Sequence, residues 1–482
     1  MPVREDPKAA YRWRWLVLGA LLTAEAMNVL DATIVQVAAP VIRAGLGGSE
    51  SAIQWFSSAY TLPFAAFLIL GGRLGDLFGR RRVFLIGVAG FATASSCCAL
   101  APTAGALIGA RTVQGTAAAL IIPQTIGLIR SMFDGSELAK AMGAIGPVMG
   151  LSVVFGPMLG AVLTHADLFG SSWRSAFLVN VPLAVAVLAA GPVAREDRAA
   201  RASRLDLPGT GLVVLGAGLV VYPLIEGGDA LRPGWSAALL VAGALVLVAF
   251  GLHQRRRARR GRVPLIEPSL FGDRVFPAAL ATSTLLFAVT TGLMLVVVLQ
   301  VQLGLGRDVL TAGLTLLPWS VGMAISSAVV GTRMTPGNQW RIMFAGLATL
   351  FAGLLGALAA YLAAYPWLLV AALLVSGAGN GMATVPFFTA ALARLRPHQV
   401  GSAAGLLNAV QQFGGTLGIA LLGSVFLHRL VGGPDANAAA ALAFGLALVL
   451  LAATAVAAAF MRTPAGRSPE QEHATTGEPS RL

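Results

Sequence analysis

Residues 52–101 read AIQWFSSAYTLPFAAFLILGG, then RLGDLFGRRR at 73–82, then VFLIGVAGFATASSCCALA from 83. An apolar block, a basic loop and a second apolar block follow one another. Each block is about twenty residues, the length of helix that crosses a hydrocarbon core of about 30 Å. The loop between them concentrates Arg73, Arg80, Arg81 and Arg82, as expected of a cytoplasmic connection. Outward from this stretch the same alternation continues to both ends. It predicts spans at 14–38, 52–72, 83–101, 105–129, 139–163, 175–194, 207–225, 235–252, 276–301, 311–332, 341–362, 367–391, 402–427 and 437–461.

Composition agrees. Hydrophobic residues make up 56% of the chain and charged residues 11%, where a soluble domain carries roughly 25% charged residues. The 57 glycines suit membrane helices, whose backbones approach closely at small residues. The net charge of +13 sits between apolar blocks, so it reads as topology and not as a nucleic-acid footprint. Cys97 and Cys98 are adjacent within one block and make neither a metal framework nor a disulfide framework. Arg4, Lys8, Arg12 and Arg14 precede the first block. That block is too long for a signal peptide and has no small-residue cleavage site, so it counts as the first span. The polar tail from Thr463 onward reads as disordered.

The distribution of Lys and Arg tests the span count. With both ends cytoplasmic, the inner segments hold the four arginines of the quoted loop, Arg130 and Lys140, then Arg195, Arg198, Arg201 and Arg204. They continue with Arg255, Arg256, Arg257, Arg259, Arg260, Arg262 and Arg274, then Arg333, Arg341, Arg394, Arg396 and Arg462. The outer loops hold only Arg43, Arg174, Arg232, Arg307 and Arg429. A missed or invented span would invert this bias from that point on. A weak internal repeat pairs Gly72–Arg82 after span 2 with Gly331–Arg341 after span 10. It also pairs Gly156-Pro157 and Gly160 of span 5 with Gly414, Gly415 and Gly418 of span 13. Spans 1–6 therefore correspond to spans 9–14, and spans 7 and 8 are an insertion.

An ionisable group inside a bilayer is a functional candidate by default. Glu25 and Asp31 lie in span 1, with Asn28 three residues from each, a polar track along one face. At 1.5 Å per residue Glu25 is about 15 Å deep, near the midplane. The functional reading is a pair of carboxylates that take up and release protons; the plain reading is polar groups satisfied by neighbouring helices. Arg111 in span 4 needs a carboxylate, a polar cluster or water, and Gln114 follows on its face. Gln36 returns close to the face of Glu25. Asp76, among Gly72, Gly79, Arg80 and Arg81, suits a gate that locks two helices on the cytoplasmic side. Gly156, Pro157 and Gly160 make span 5 closely packed, and Pro147 and Pro157 argue for kinks. Asn408, Gln411 and Gln412 of span 13 either line a cavity or join helices. There is no Walker lysine motif, no metal-spaced His pair and no Gly-x-Ser-x-Gly elbow, and no metal or cofactor is called for.

These residues resemble a known family. Gly72-x-Leu74-x-Asp76-x-x-Gly79-Arg80-Arg81, Leu107-x-x-x-Arg111-x-x-Gln114-Gly115 and Gly156-Pro157-x-x-Gly160 are similar to signatures of the major facilitator superfamily. Leu30-Asp31-x-Thr33-Ile34-Val35-x-Val37-Ala38-x-Pro40 and Trp173-Arg174-x-x-Phe177-x-x-Asn180-x-Pro182 resemble its fourteen-span drug:proton antiporter branch. Gln36 stands where that signature usually has Asn, and Ala161 where it has Gly. The later half has no intramembrane acid, which weighs against a cationic-drug preference.

The resemblance implies an all-α membrane protein with the major facilitator fold: two six-helix bundles at 1–194 and 276–462, two inserted helices at 195–275, and a cytoplasmic tail at 463–482. It implies a proton-coupled antiporter in the cell membrane, a monomer with both termini cytoplasmic, that exports lipophilic drugs or antibiotics by alternating access. Asp31, Glu25 and Arg111 would couple protons, and the residues from Gly72 to Arg81 with those of span 5 would gate. Asn28, Gln36, Gln114, Asn408, Gln411 and Gln412 would line the cavity. The partners are the substrate, protons and lipid, with no nucleic acid. A dedicated exporter of one endogenous metabolite or self-made antibiotic is the alternative, and a membrane-embedded enzyme is the reading of another class.

Overall fold

The computed structural model describes residues 12–167, 170–198, 205–227, 233–335, 337–393, 395–433 and 435–462. The tail at 463–482 lies outside them, as do Arg4, Lys8, Arg201, Arg204, Arg232 and Arg394. Among the described residues the secondary structure is helical without strands, and fourteen helical stretches are long and apolar enough to cross a membrane. The helices are α1 (Arg14–Leu46), α2 (Ser51–Phe78), α3 (Arg80–Ala99), α4 (Ala104–Met132), α5 (Gly135–Gly143), α6 (Ile145–His165), α7 (Ser175–Leu178) and α8 (Asn180–Ala190). They continue with α9 (Leu207–Glu226), α10 (Pro233–Arg259), α11 (Val275–Leu299), α12 (Val309–Arg333), α13 (Gln339–Leu362), α14 (Pro366–Leu392), α15 (Pro397–Val431) and α16 (Ala436–Met461). Helices α5 and α6 make the fifth span, α7 and α8 the sixth. With an even number of crossings, the start of α1 and the end of α16 share one face, here the terminal face; the other is the distal face.

Several helices overrun the apolar blocks. Helix α1 continues through Pro40 to Leu46 and α15 begins at Pro397, because the backbone keeps its internal hydrogen bonds beyond the hydrocarbon region. The fifth span breaks at Ala144, three residues before Pro147. Pro147 has no N–H to give the carbonyl of Gly143. Pro157 stays inside α6 without a break.

Glycine contacts show the two halves. A Cβ on Gly71 of α2 would lie 2.1 Å from the Ala119 carbonyl oxygen of α4, and one on Gly115 of α4 would lie 2.1 Å from that of Tyr60. In the second half Gly322 of α12 faces the Leu374 carbonyl at 2.2 Å, and Gly377 of α14 faces that of Trp319 at 2.0 Å. Gly156 and Gly160 of α6 close on Thr33 and Ile34 of α1, as Gly414 and Gly418 of α15 close on Thr284 and Ala288 of α11. Each of these four equivalences is eight spans apart. The structure is two six-helix bundles with α9 and α10 between them.

The inserted pair sits at one edge. Helix α9 packs on α2 and α15, and α10 packs mainly on α9. Only 6% of the apolar stretch of α10 is fully buried, so apart from the side against α9 this helix faces outward. A polar knot on the terminal face ties the pair down. The buried Asp206 carboxylate caps α9 at the Gly209 N–H (3.1 Å) and accepts from Gln254 Nε2 (2.9 Å). His253 Nε2 lies 3.0 Å from it and Arg257 Nη1 3.5 Å. Gln254 Oε1 in turn accepts the Leu265 N–H at 2.7 Å, and Arg73 of α2 donates to the Pro264 carbonyl. The knot joins both inserted helices, the segment leading into the second half, and the end of α2.

Burial alone would raise the Asp206 pKa. The donors Gln254, His253 and the Gly209 N–H, with the Arg257 charge, outweigh it and hold the carboxyl below its ordinary 3.8. A depressed carboxylate stabilises the fold above its unfolded pKa and loses that contribution as pH falls through the folded value. The Tm advantage of wild type over Asp206→Asn should therefore be full at pH 6 and shrink as the pH is taken below about 4, measured by intrinsic fluorescence in detergent. Gly115→Ala should lower stability by about 1–3 kcal/mol through overpacking. Gly109→Ala, whose added carbon meets nothing within 4 Å, should not lower the Tm and should raise it slightly.

Candidate functional site

Helices α1, α2, α3, α4 and α8 converge on one buried ion pair. Asp31 and Arg111 are both 0% exposed. Arg111 Nη1 donates to Asp31 Oδ2 and, at 2.8 Å, to Gln114 Oε1. Gln114 Nε2 donates to Asp31 Oδ1 at 2.9 Å, and Asn180 Nδ2 to the same oxygen at 2.8 Å. Asn180 is positioned in turn by Ser95 Oγ at 3.1 Å, which donates to the Phe177 carbonyl at 2.9 Å. Arg111 Nε donates to the Phe56 carbonyl at 2.9 Å, a reach made possible because Gly115 lets α4 lie against the backbone of α2. The guanidinium also lies 4.3 Å from the Tyr60 ring centroid, a cation–π contact that counts most where water is excluded.

The pair is neutral as a unit and well bonded, yet several polar atoms around it are not. Arg111 Nη2, Asn28 Nδ2, Asn180 Oδ1, Ser57 Oγ and Ser58 Oγ are buried with no partner among the described residues. An unsatisfied buried polar atom costs about 1–3 kcal/mol, and such atoms crowd into the first bundle here.

Glu25 is also buried, earlier on the slanting polar track of α1, and lies against Thr125 of α4. It makes no ion pair among the described residues. Six residues separate it from Asp31, about 9 Å along the helix. Between them Asn28 Oδ1 accepts from the Tyr60 hydroxyl at 3.4 Å. Tyr60 thus touches Asn28 with its hydroxyl and Arg111 with its ring face.

Gln36 sits in the seam between the bundles. Its Nε2 donates to the Thr291 carbonyl of α11 at 2.8 Å, and Gln302 Nε2 returns a bond to the Val37 carbonyl at 2.9 Å. Nearby Gln54 Nε2 donates to the Ile419 and Ala420 carbonyls of α15 at 3.2 and 3.3 Å, and Thr61 meets Thr416 at 2.6 Å. Gly313 of α12 admits Ala161 and the Pro157 carbonyl of α6. These contacts close the distal side. On the terminal side Gly143, Gly146 and Gly150 face open space. Asn408, Gln411 and Gln412 are half-buried on one face of α15 and make no side-chain hydrogen bond among the described residues.

The loop after α2 is clamped within the first bundle. Gly79 has φ +102°, and a Cβ there would lie 2.6 Å from the Glu196 carboxylate. Arg80 Nη2 donates to Asp76 Oδ1 at 3.0 Å and Nη1 to Asp197 Oδ2 at 2.9 Å. The Arg81 N–H donates to Glu196 at 3.0 Å, and its side chain to the Pro192 and Ala194 carbonyls. Gly72 touches Pro123 of α4. Asp76 therefore joins the end of α2 to α3 and, through Arg80, to the segment after α8. The arm that leaves this bundle is Arg73.

The profile of the Major Facilitator Superfamily matches residues 21–210 and again 209–419. The chain belongs to the major facilitator superfamily. A relative described as "Probable actinorhodin transporter" from Streptomyces coelicolor is 42% identical, over 87% of this chain and 74% of its own. The puromycin resistance protein of Streptomyces alboniger is 36% identical over 86% and 82%. The multidrug resistance protein Stp of Mycobacterium tuberculosis is 33% identical over 83% and 73%. An autoinhibited peptide transporter shares the fold at a TM-score of 0.65 and 16% identity, covering 94% of this chain and 99% of its own. An inward-facing bacterial homolog of the lysosomal transporter Spinster does so at 0.64 and 16%, over 95% and 97%. A major facilitator protein is a transporter, which sets aside the membrane-embedded enzyme.

In this major facilitator protein the site includes residues that the sequence reading did not single out. Asn180 stands inside the Trp173–Pro182 pattern, and an Asn within an apolar block was a signal in itself. Ser95, Tyr60 and Asp197 carried none, since a hydroxyl or a loop carboxylate is ordinary where they stand. Removing one member of a buried pair costs about 3–5 kcal/mol. Arg111→Ala should lower the Tm sharply, and adding Asp31→Asn to it should restore part of the loss, measured as a double-mutant cycle by differential scanning fluorimetry.

Proposed function

We propose that this transporter is a proton-driven exporter of lipophilic small molecules, and that the Asp31–Arg111 pair is its proton site. The observation that carries the reading is a carboxylate and a guanidinium fully buried together in the membrane-spanning part of the first bundle. A proton on Asp31 removes the charge that holds Arg111 Nη1, leaving the guanidinium to Gln114, the Phe56 carbonyl and the Tyr60 ring. That exchange shifts the packing of α4 against α1 and so the balance between two states of the transporter. Glu25, about 9 Å nearer the terminal face along α1, is the second carboxyl able to take up a proton. The membrane potential contributes about 2.3 kcal/mol per charge per 100 mV.

The arginine bias supports a cytoplasmic terminal face and an outer distal face in the cell membrane. The described state is then closed outside, with α6 and α12 meeting at Pro157, Ala161 and Gly313. The bundles 1–194 and 276–462 rock as units, in a monomer, about a cavity to which Asn408, Gln411 and Gln412 contribute. The clamp of Asp76, Arg80 and Asp197 holds the first bundle rigid, and Arg73 releases or holds the second. The antibiotic and multidrug functions of the relatives support export of drugs or antibiotics. The identity to an antibiotic-producer's transporter favours one self-made antibiotic or other endogenous metabolite as the second reading.

The test is proton release from energised inverted vesicles on adding lipophilic drugs, with Asp31→Asn and Glu25→Gln beside wild type. Wild type should move protons with several compounds, and Asp31→Asn should abolish coupling while still binding drug. Full proton-coupled efflux by Asp31→Asn removes that residue from the role. Silence of wild type toward all drugs selects the single-substrate reading.

A further inference from the structure

The inserted helices enclose a space that the transport reading does not use. Two adjoining cavities of about 250 and 270 Å³ lie on the terminal half of the bundle. They share the wall formed by Leu247 and Phe250 of α10 with Ile266 and Phe271 of the segment before α11. The deeper one runs between Ala66 of α2, Val213 and Ala217 of α9, and Ala409 of α15, and its lining is apolar throughout. The shallower one opens beside Gln254 and Arg255. From Leu247 to Arg255 is eight residues, about 12 Å along the membrane normal. The chamber is therefore greasy at depth and basic at its mouth.

The mouth carries more charge than the knot consumes. Arg257 pairs with Asp206. Arg255, Arg256, Arg259, Arg260 and Arg262 are exposed and pair with no carboxylate among the described residues. Placing a helix end in the cytoplasm requires fewer arginines than this, and basic clusters beside spanning helices attract anionic headgroups. Each cavity is smaller than the roughly 300 Å³ at which drug-sized ligand pockets begin. A thin, flexible alkyl chain suits two such adjoining compartments. The flank of α10 is open to lipid along its length.

The geometry points to a binding site for an anionic phospholipid of the terminal-face leaflet, one acyl chain lying between α10 and α2 and the phosphate held by Arg255 and Arg256. This assignment is independent of the proton site and of the cargo. It makes the inserted pair a lipid-filled wedge against the seam of α2 and α15.

Native mass spectrometry of the delipidated full chain, titrated with phosphatidylglycerol or phosphatidylcholine of matched chains, tests it. Phosphatidylglycerol should bind the more tightly. Arg255→Gln and Arg256→Gln, both on exposed side chains, should each weaken it about fivefold while leaving phosphatidylcholine unchanged. Ala217→Phe, which fills the deep end, should weaken both lipids; a size-exclusion profile like that of wild type shows that each variant is folded. Equal binding of the two lipids by wild type, or unchanged phosphatidylglycerol binding in both arginine variants, overturns the proposal. So does puromycin that is retained with the same Arg255 dependence and displaces the lipid one for one, since the chamber then belongs to cargo.

Discussion

A guanidinium in a bilayer without a counter-charge is costly, and the first bundle is arranged around meeting that demand for Arg111. Asp31 supplies the charge, Gln114 and Asn180 fix the carboxylate, Phe56 lends a carbonyl and Tyr60 a ring face. None of this is reachable unless the helices lie closer than ordinary side chains allow. Gly71 and Gly115 bring α2 and α4 together, and Gly156 and Gly160 bring α6 onto α1. Dispersion and close backbone contact hold membrane helices where no hydrophobic drive exists between them. The glycines are thus the condition for the ion pair as well as for the fold.

Much of this was legible in the sequence, for physical reasons. A hydrocarbon slab imposes a length on every span and the arginine bias imposes a phase, so span number and order follow from the pattern of apolar blocks and arginines along the chain. Asp31 and Arg111 stood out because charge is rare inside apolar blocks. The eight-span repeat was faint in the loops but is clear in the glycine contacts, since packing keeps a small residue where a loop does not keep its charge. What could not be read was partnership. Asp206 and Gln254 stand at span ends where polar residues are ordinary, and only the fold joins them through the Leu265 N–H. Helix ends beyond the apolar blocks were also hidden, because hydropathy reports the hydrocarbon and not the helix.

The two faces are held by different chemistry. On the terminal face carboxylates and arginines interlock from Asp76 to Asp197, with Arg73 reaching the linker of the second half. On the distal face the bundles are joined mostly by neutral amides and hydroxyls, with His165 Nδ1 at the end of α6 lying 3.5 Å from Asp308 Oδ2 at the start of α12. Charged links respond to protons and salt, whereas amide links do not, so a change of ionic conditions acts mainly on the terminal face and, on the distal face, on the exposed His165–Asp308 contact.

The distal links have one more property. Gln36, Gln302 and Gln54 all donate to main-chain carbonyls, those of Thr291, Val37, Ile419 and Ala420. A main-chain oxygen is present whatever side chain the position carries. Mutation can therefore redraw the inner surface of either bundle at these acceptor positions without unfastening the closure. The closure at these four acceptors rests on the three glutamines and not on the side chains that stand opposite them.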